Sequence, residues 1–540
     1  MGGVVSSVLG KGDAAPASSS SLQTFIGEAI SMVPFGEKYA AWWINLFHSN
    51  PLHLVIETSL ILFILFILLC KWPRKKRKRE EKLPPGIVEE LIQEFEPEPL
   101  CPEPTEQAKI LLDPANRVVL ESNPFTHCKV RGYDQPLLNL ASFDFLALGE
   151  RSEVYDAAKK ALDKYGCGSC GPRGFYGTID AHLDFEDAIA KFYGAEEAIM
   201  YSDTTSTVAS AIPAFSNRAD ILIVDAGVND AVMTGCKLSR SRLLFFKHND
   251  VADLRRVLEQ VKEEDERAKK KPQRRFIVIE GLYRNYGDIA PLAKIVDLKE
   301  AYKWRLIVDE TYSFGVLGPS GKGITEHFGL SFDKVELMVA SMATTLSSVG
   351  GFCVGRTEIV DHQRLSGAGY CFSASSPPFL SCSAVAALEI LEKEKGLLKQ
   401  LVQKVRVVHA ALDGAERLST QSDPNSPVIH VRVSSTPSDR VQHERMLRDI
   451  CRAARDEGVL AVASVYAEPS PQKKGTTSGV FPTLPPPTLR IAIRSTHPDD
   501  ELTRAIGVLD KIAAAQAYDE YSINRKENNG SGLRSRKGRR

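Results

Sequence analysis

The sequence predicts an α/β fold with a largely parallel sheet, followed by a smaller α+β domain and preceded by one membrane-spanning helix. Short apolar runs separated by helical stretches predict the sheet, because strands buried on both faces are nearly continuous in apolar residues. These runs are AIMYS at 198, ILIVDA at 221, LLFFK at 243, FIVIE at 276, RLIVDE at 305, ELMVA at 336 and GFCVG at 351. A chain of 540 residues, 43% apolar and 25% charged, is long enough for two packed domains plus extensions.

Charge and cysteine content narrow the class of protein. The 68 basic and 68 acidic residues cancel, so no overall charge favours nucleic acid as a partner. Ten cysteines without regular spacing suit a reducing compartment rather than a disulfide framework. Cys167 and Cys170 form a single CxxC, but a zinc site would need a second pair, so we predict no metal.

The N-terminal region divides into two predicted segments. Residues 1–21 are rich in Gly, Ser and Ala and are predicted to be disordered, and Met1-Gly2 with Ser6 fits the myristoylation pattern. Residues 22–50 are rich in aromatic and aliphatic side chains and predict an amphipathic or interfacial helix. The alternative is a helix that packs on the protein itself.

Residues 51–72 predict a transmembrane helix, since about 21 apolar residues match one bilayer crossing. A buried core helix is the alternative. The basic run at 71–79 then places the rest of the chain in the cytosol and the N-terminus in the lumen, which argues against myristoylation. The same run could be a nuclear signal or a nucleic-acid patch, but its place at the membrane edge favours contact with lipid headgroups.

The remaining boundaries follow from changes in composition. Residues 73–135 form a basic and then proline-rich linker, 136–385 the large domain, and 386–523 the small domain. Helices are predicted at 250–271 and 437–457, and strands at PVIHVRVSS and TLRIAIRS. The basic tail at 524–540 is predicted to be disordered.

Asp225 and Asp309 each end a predicted strand, where ligands collect in open α/β sheets. Taken alone, each favours a structural role. Four long segments add a more specific signal than either aspartate alone. They are KYGCGSCGPRGFYGTIDAHLDFE at 164–186, FKHNDVADL at 246–254, the segment from EGLYRNYGD to SFGVLG at 280–318, and DHQRLSGAGYCFSASSPPF at 361–379.

These segments resemble the α-oxoamine synthases, fold-type I pyridoxal-phosphate (PLP) enzymes that condense an amino acid with an acyl-CoA and lose carbon dioxide. Within that family the chain is most similar to the long-chain-base-1-type, non-catalytic subunits of serine palmitoyltransferase, up to about residue 520. The resemblance implies an aspartate aminotransferase-like large domain. It also implies that Asp309 stands at the position that contacts the pyridine nitrogen.

Three positions depart from the catalytic pattern. The family's Schiff-base lysine falls six residues before a Gly-Gly pair, and counting back from Gly350 gives Thr344. The ring-stacking histidine becomes Asn229, and the histidine after the pyridine aspartate becomes Tyr312. We therefore expect no catalytic residue in this chain and a vestigial Asp309.

The resemblance also implies groups that reach the partner of a dimer. Ser373 and Ser375 are expected near the phosphate of the partner's PLP, and the alternative is a segment that packs the interface without touching ligand. Arg490 and Arg494 lie where family members bind the substrate carboxylate, and here we expect a structural role. The expected interface loop contributes Cys170, Gly171, Arg173, Phe175 and Tyr176.

The implied function is that of a supporting subunit in the endoplasmic reticulum membrane. A lysine-bearing long-chain-base-2-type partner would hold PLP and convert L-serine and palmitoyl-CoA to 3-ketosphinganine. A small activating transmembrane subunit, Orm-type regulators and membrane lipid are further implied partners. The alternatives are a membrane scaffold that contributes no active-site groups, and an independent PLP enzyme with a relocated lysine.

Overall fold

The structure is a computed structural model of the chain. It describes residues 51–69, 84–97 and 117–532, except 170, 269–272, 465 and 467–483, together with scattered positions between 38 and 113. The chain forms two compact units, Met1–Pro102 and Glu103–Arg540. Cys170, the segment 1–21 and the basic run at 71–79 lie outside the described residues.

The first unit contains two helices, α1 (Pro51–Leu69) and α2 (Pro85–Glu94). Helix α2 begins at a proline, whose missing N–H is free at the first turn of a helix in any case. The predicted transmembrane segment at 51–72 falls on α1. In the part of the chain that the structure describes, no helix is both long enough and apolar enough to cross a membrane. Most of the predicted helix at 22–50 lies outside that part.

Strands of the second unit are numbered in chain order. They are β1 (His127–Cys128), β2 (Leu137–Asn139), β3 (Glu197–Tyr201), β4 (Ile221–Asp225), β5 (Arg242–Phe246), β6 (Arg275–Glu280), β7 (Arg305–Asp309), β8 (Leu337–Ser341), β9 (Gly351–Gly355), β10 (Leu418–Thr420), β11 (Val428–Val433), β12 (Val459–Leu460), β13 (Val462–Ser464) and β14 (Thr488–Ala492).

The large sheet contains seven strands in the order β3-β9-β8-β7-β6-β4-β5. Strands β4 to β8 pair in parallel, and β9 runs antiparallel between β3 and β8. All seven apolar runs quoted above form these strands, which confirms the predicted sheet. Its central strands are buried along their length, as expected for a sheet covered on both faces.

Helices of the second unit cover the sheets. They are α3 (Ser152–Tyr165), α4 (Asp180–Tyr193), α5 (Thr204–Phe215), α6 (Asp230–Ser239), α7 (Val251–Ala268), α8 (Leu292–Tyr302), α9 (Ile324–His327), α10 (Thr357–Ser366), α11 (Ala368–Cys371), α12 (Pro378–Lys393), α13 (Gly396–Asp413), α14 (Arg440–Asp456) and α15 (Asp499–Gly532). The predicted surface helix at 250–271 is α7, which buries Leu254, Val257, Leu258 and Val261 at helical spacing. The predicted helix at 437–457 is α14.

The small domain is built on an antiparallel sheet in the order β10-β11-β14-β13. A further sheet, β1-β2-β12, joins it to residues from the start of the body, since β2 pairs in parallel with β12. The predicted linker at 73–135 is therefore too long at its C-terminal end. Cys128 and Val130 are already buried in a small core with Leu137 and Leu460.

The C-terminal boundary also differs from the prediction. Helix α15 continues to Gly532, past the predicted start of a disordered tail at 524. Its first turn carries Asp499, Asp500 and Glu501, which stabilise the positive end of the helix dipole. Residues 533–540 lie outside the described residues.

Candidate functional site

The segment Val339–Gly355 contains the end of β8, a loop and β9. Thr344 lies in this loop and is 4% exposed. Its hydroxyl donates to the carbonyl of Thr311 at 2.6 Å, and its own carbonyl accepts from the amide of Phe145 at 3.1 Å. Thr344 is therefore a fixed structural residue with both polar groups bonded. It has no amine with which to hold an aldehyde.

Two carboxyl groups meet at the carboxyl ends of β6 and β7. Glu280 and Asp309 are opposite each other in the sheet register, and both are buried. Asn229 bridges them, because its backbone N–H donates to Glu280 Oε1 at 2.5 Å and its side-chain Nδ2 to Asp309 Oδ2 at 3.2 Å. The backbone amides of Arg284 and Thr311 complete the cluster at 3.1 and 2.9 Å.

Asn229 is also the N-cap of α6. Its Oδ1 accepts from the amides of Ala231 and Val232 at 2.9 and 3.1 Å, which satisfies two free donors of the first helical turn. The side chain is thus bonded through both its oxygen and its nitrogen. The family resemblance places the ring-stacking histidine at this position. The structure shows an amide that joins a helix start to the carboxyl pair.

Burial decides the protonation of these groups. Burial, and then the charge of Asp309, raises the pKa of Glu280 to about 8. Burial also raises the pKa of Asp309, against the lowering effect of its hydrogen bonds to Thr311 and Asn229. Two neighbouring carboxylates without a cation cannot both ionise cheaply, so the pair retains a proton at neutral pH.

Tyr312 packs beside this cluster. Its ring meets Phe143 edge to face with centroids 5.1 Å apart, and burial raises the pKa of Tyr312 to about 12. The guanidinium carbon of Arg490 lies 4.4 Å from the centroid of the Phe143 ring. Arg494, in contrast, is 1% exposed and pairs with Glu150 at 3.2 Å. The expected structural role thus fits the contacts of Arg494 well.

A second polar cluster was missed by the sequence reasoning. The ring of His248 lies between two carboxylates, with Nδ1 2.8 Å from Asp225 Oδ1 and Nε2 3.0 Å from Asp288 Oδ2. Tyr286 stacks on the same ring, with the ring centroids 4.0 Å apart. Burial lowers its pKa, but the hydrogen bonds to Asp225 and Asp288 outweigh burial and raise it to about 10. The motif FKHNDVADL contained this histidine. Its carboxylate partners are distant in sequence, Asp225 at the end of β4 and Asp288 in the turn after β6, so no local spacing predicts the cluster.

The expected interface loop, Gly171–Gly177, is fixed in place by the side chain of Arg173. Arg173 is 8% exposed and makes a two-pronged ion pair with Glu186 at 3.0 and 2.8 Å. Its Nε donates to Thr178 Oγ1 at 3.0 Å. A Cβ on Gly177 would lie 1.9 Å from the carbonyl oxygen of Gly171, so only glycine fits there. Arg173 therefore anchors the loop and does not face outward.

The aromatic residues of the loop point the other way. Phe175 is 67% exposed and Tyr176 is fully exposed. Tyr176 has φ +64°, a left-handed conformation that costs a non-glycine residue on the order of 1 kcal/mol. Phe372, on the neighbouring segment, is 85% exposed. These three residues, which we call the aromatic edge, are unusually large apolar groups to leave in water.

Ser373 and Ser375 lie on the segment that closes the loop. Ser375 is 7% exposed, and both its hydroxyl and its backbone N–H donate to the carbonyl of Gly171, at 2.8 and 2.9 Å. Ser373 donates to Gly369 and lies 3.2 Å from the hydroxyl of Ser202. Ser375 thus contacts the loop at Gly171, whereas the contacts of Ser373 are with Gly369 and Ser202. Within this chain, the hydroxyl of Ser375 already has an acceptor.

The sequence model of the family described as "Aminotransferase class I and II" matches residues 135–509. Serine palmitoyltransferase 1 of Dictyostelium discoideum is 41% identical over 473 residues, which are 86% of this chain and 95% of that protein. Long chain base biosynthesis protein 1 of Arabidopsis thaliana is 40% identical over 413 residues, 76% and 83% of the two chains.

Solved structures agree in fold. A structure described as SPT with its PLP internal aldimine has a TM-score of 0.65 at 25% identity, and the match covers 76% of this chain and 96% of that one. Serine palmitoyltransferase of Sphingomonas wittichii has a TM-score of 0.64 at 24% identity, over 81% and 98% of the chains.

The parallel sheet with carboxylates at its strand ends, and the family match over it, define the class as aminotransferase class I and II. Within that class, the chain belongs to the family of serine palmitoyltransferase 1 and long chain base biosynthesis protein 1.

The cofactor of this fold does not fit the residues that stand in its place. PLP needs a lysine for its aldehyde, and Thr344 supplies none. Its pyridine nitrogen needs an ionised carboxylate beside it, and Asp309, whose pKa is raised by burial, already accepts a hydrogen bond from Asn229. No aromatic ring occupies position 229 to stack on the cofactor.

Proposed function

We propose that this chain is the PLP-free subunit of a serine palmitoyltransferase heterodimer. A lysine-bearing partner holds PLP, and the complex condenses L-serine with palmitoyl-CoA to 3-ketosphinganine, carbon dioxide and CoA. The proposal is carried by Thr344, a buried and bonded threonine where the reaction requires a lysine. Membership of the serine palmitoyltransferase 1 family supports the choice of reaction.

The contribution of this chain to the partner is made through the aromatic edge and the loop behind it. Phe175 and Tyr176 are exposed on a loop whose base is fixed by the Arg173–Glu186 ion pair, and Phe372 is exposed on the neighbouring segment. Exposed aromatic side chains on a rigid support are typical of residues that dominate protein interfaces. Cys170 and Gly171 belong to the same loop by sequence, and Cys170 lies outside the described residues.

Separate purification tests the proposal. The chain alone, the partner alone and their complex are reduced with borohydride, and covalently bound PLP is located by mass spectrometry. We expect PLP on the partner lysine, and serine palmitoyltransferase activity in the complex only. Covalent PLP on any lysine of this chain, with turnover by the chain alone, would contradict the proposal.

A membrane scaffold that contributes no active-site group is the second candidate. It is favoured by Ser375, whose hydroxyl is bonded inside this chain and not presented outward. Steady-state kinetics of the intact complex distinguish the two. Unchanged kcat and KM in the variants Cys170→Ala, Ser375→Ala and Phe175→Ala would favour the scaffold, and a lowered kcat would favour contribution to the partner's site.

The proposal includes the endoplasmic reticulum membrane as the location, with a single crossing, a lumenal N-terminus and the PLP-type domains in the cytosol. The apolar sequence at 51–72 and the basic run after it support this topology. A small activating transmembrane subunit and Orm-type regulators are proposed as further partners. Protease protection of tagged termini in microsomes tests the topology, and purification from membranes with subunit identification tests the partners.

A further inference from the structure

A polar cavity of about 250 Å³ lies between the large sheet's loops and the small sheet. One wall is the turn Asn285–Asp288, and the other is formed by Gln421, Arg432 and Thr488 on or beside the small sheet. The turn is fixed in place, because Ser422 Oγ donates to the carbonyl of Tyr286 at 2.9 Å. A Cβ on Gly287 would lie 2.2 Å from the carbonyl oxygen of Val428. The cavity therefore has rigid walls.

The wall of the turn carries excess negative charge. His248 lies between two carboxylates, Asp225 and Asp288, and is protonated at neutral pH. Two carboxylates and one imidazolium leave one net negative charge. The side chain of Asp225 is fully buried, whereas that of Asp288 is 30% exposed and lines the cavity. The uncompensated charge is thus presented to the cavity by Asp288.

The opposite wall carries the positive charge. Arg432 projects from β11 and, within the described residues, makes no ion pair. The adjacent His430 adds no charge, because burial lowers its pKa to about 4 and its ring nitrogens bond Thr488 Oγ1 and the carbonyl of Arg284, each at 2.8 Å. Arg432 is therefore the cation among the residues that line the cavity, and Asp288 is the exposed anion.

Between these charges the cavity offers neutral donors and acceptors. The side-chain amides of Asn285 and Gln421 line it and form no hydrogen bond with another described residue. Each amide presents one acceptor and two donor hydrogens. A ligand with one cationic and one anionic group would satisfy both walls and use these amides.

We propose that this cavity binds a small zwitterion, an α-amino acid, with its ammonium at Asp288 and its carboxylate at Arg432. A guanidinium binds a carboxylate through two parallel hydrogen bonds, and Asp288 retains an exposed edge for an ammonium. The site is formed by this chain alone and lies apart from Thr344 and Asp309. It goes beyond the proposed reaction, since binding here requires neither PLP nor the partner.

The test uses N,N-dimethylglycine as the probe and the purified complex as the protein. This zwitterion keeps one N–H for Asp288, but its tertiary amine cannot form a Schiff base with PLP on the partner. Isothermal titration calorimetry at pH 7 is expected to show one site per complex. Acetate and dimethylamine, which each carry one of the two charges, are expected to bind at least about tenfold more weakly, as the loss of one charged hydrogen-bonded contact implies.

Variants locate the site. In Arg432→Gln we expect affinity for the probe to fall about tenfold, while Arg406→Gln, an exposed arginine on α13, leaves it unchanged. Thermal unfolding without probe checks that both variants fold, and Arg432→Lys is expected to retain part of the affinity. Equal binding of the probe by Arg432→Gln and the unmodified complex, or of acetate and the probe, would overturn the proposal.

Discussion

Asn229 joins the start of a helix to a buried carboxylate, at the position where the family's ring-stacking histidine is expected. A histidine ring there would leave Asp309 open to a ligand, whereas the shorter amide reaches Asp309 with its nitrogen and the start of α6 with its oxygen. The same residue's backbone N–H binds Glu280. The side-chain oxygens of Glu280 and Asp309 and the side-chain amide of Asn229 are therefore all hydrogen-bonded within the chain.

The carboxyl pair makes stability depend on pH. Glu280 has a pKa of about 8 when folded and 4.5 as its ordinary value, so between these limits the folded chain binds the additional proton. Stability contributed by this group is therefore present below about pH 4.5 and is lost as pH rises towards 8. In Glu280→Gln we expect a flatter decline of unfolding free energy across this window, by at most about 1.4 kcal/mol per pH unit.

Chemical denaturation at intervals from pH 5 to pH 8 measures this slope. Glu263→Gln, on the solvent face of α7, is the matched control and should keep the slope of the unmodified chain. If the unfolding free energy of Glu280→Gln declines with pH as steeply as that of the control, Glu280 does not hold the additional proton.

The Arg173–Glu186 ion pair should be costly to break. Both side chains are about 5% exposed, so Arg173→Met leaves a carboxylate buried without its partner. We expect the free energy of unfolding to fall by about 3–5 kcal/mol. Arg267→Met, which breaks an exposed pair on α7, should change it little. Equal losses in urea denaturation would show that burial does not decide the cost.

For single residues, the sequence predicted which residue type stands at a motif position better than it predicted the hydrogen-bond partners of that residue. Thr344, Asn229 and Asp309 could be located because a lysine, a ring or an acid is recognised by its place in a motif. The direction of the Ser375 hydroxyl could not be predicted, since it depends on the carbonyl of Gly171, which is distant in sequence. The ion cluster of His248 was missed for the same reason.

In the loop Gly171–Gly177, the residue that anchors the loop differs from the residues that are exposed for contact with a partner. Tyr176 adopts a left-handed backbone conformation that glycine adopts without strain, and its side chain contacts solvent. In Tyr176→Gly we expect the unfolding free energy to stay within about 1 kcal/mol, because relief of strain offsets the greater flexibility of glycine. The dissociation constant between the subunits should rise about tenfold or more.

Analytical ultracentrifugation and thermal unfolding measure the two quantities separately. Leu238→Ala removes a similarly exposed apolar side chain from α6 and should leave the subunit affinity unchanged. Unchanged affinity in Tyr176→Gly would show that the aromatic edge faces something other than the partner.

Element prediction succeeded where burial was continuous. Each strand of the large sheet is an apolar run long enough to be recognised, and α7 shows a clear helical repeat. It failed at β1 and β2, which are two and three residues long. Strand β1 pairs with β2, and β2 pairs in turn with β12, which is distant in sequence. Such short strands carry no local periodicity, so the linker was predicted to run to 135.

For the whole molecule, cofactor content is the sharpest expectation. The complex should bind one PLP, on the partner, and Thr344→Lys in this chain should not add a second. Asn229 would still donate its side-chain N–H to Asp309, and no aromatic ring would stand at position 229 to stack on the cofactor. Borohydride reduction and mass spectrometry of both chains measure the outcome, and a reduced PLP adduct on this chain would contradict the expectation.

The pairing of β2 with β12 has a consequence for the order of events during synthesis. Leu138 and Asn139 emerge from the ribosome early, and their partners Val459 and Leu460 emerge roughly 300 residues later. At about 5–20 residues per second, that interval is on the order of tens of seconds. During this interval the edge of β2 lacks its neighbour strand. We therefore expect this short segment to be exposed to chaperones until β12 has been synthesised.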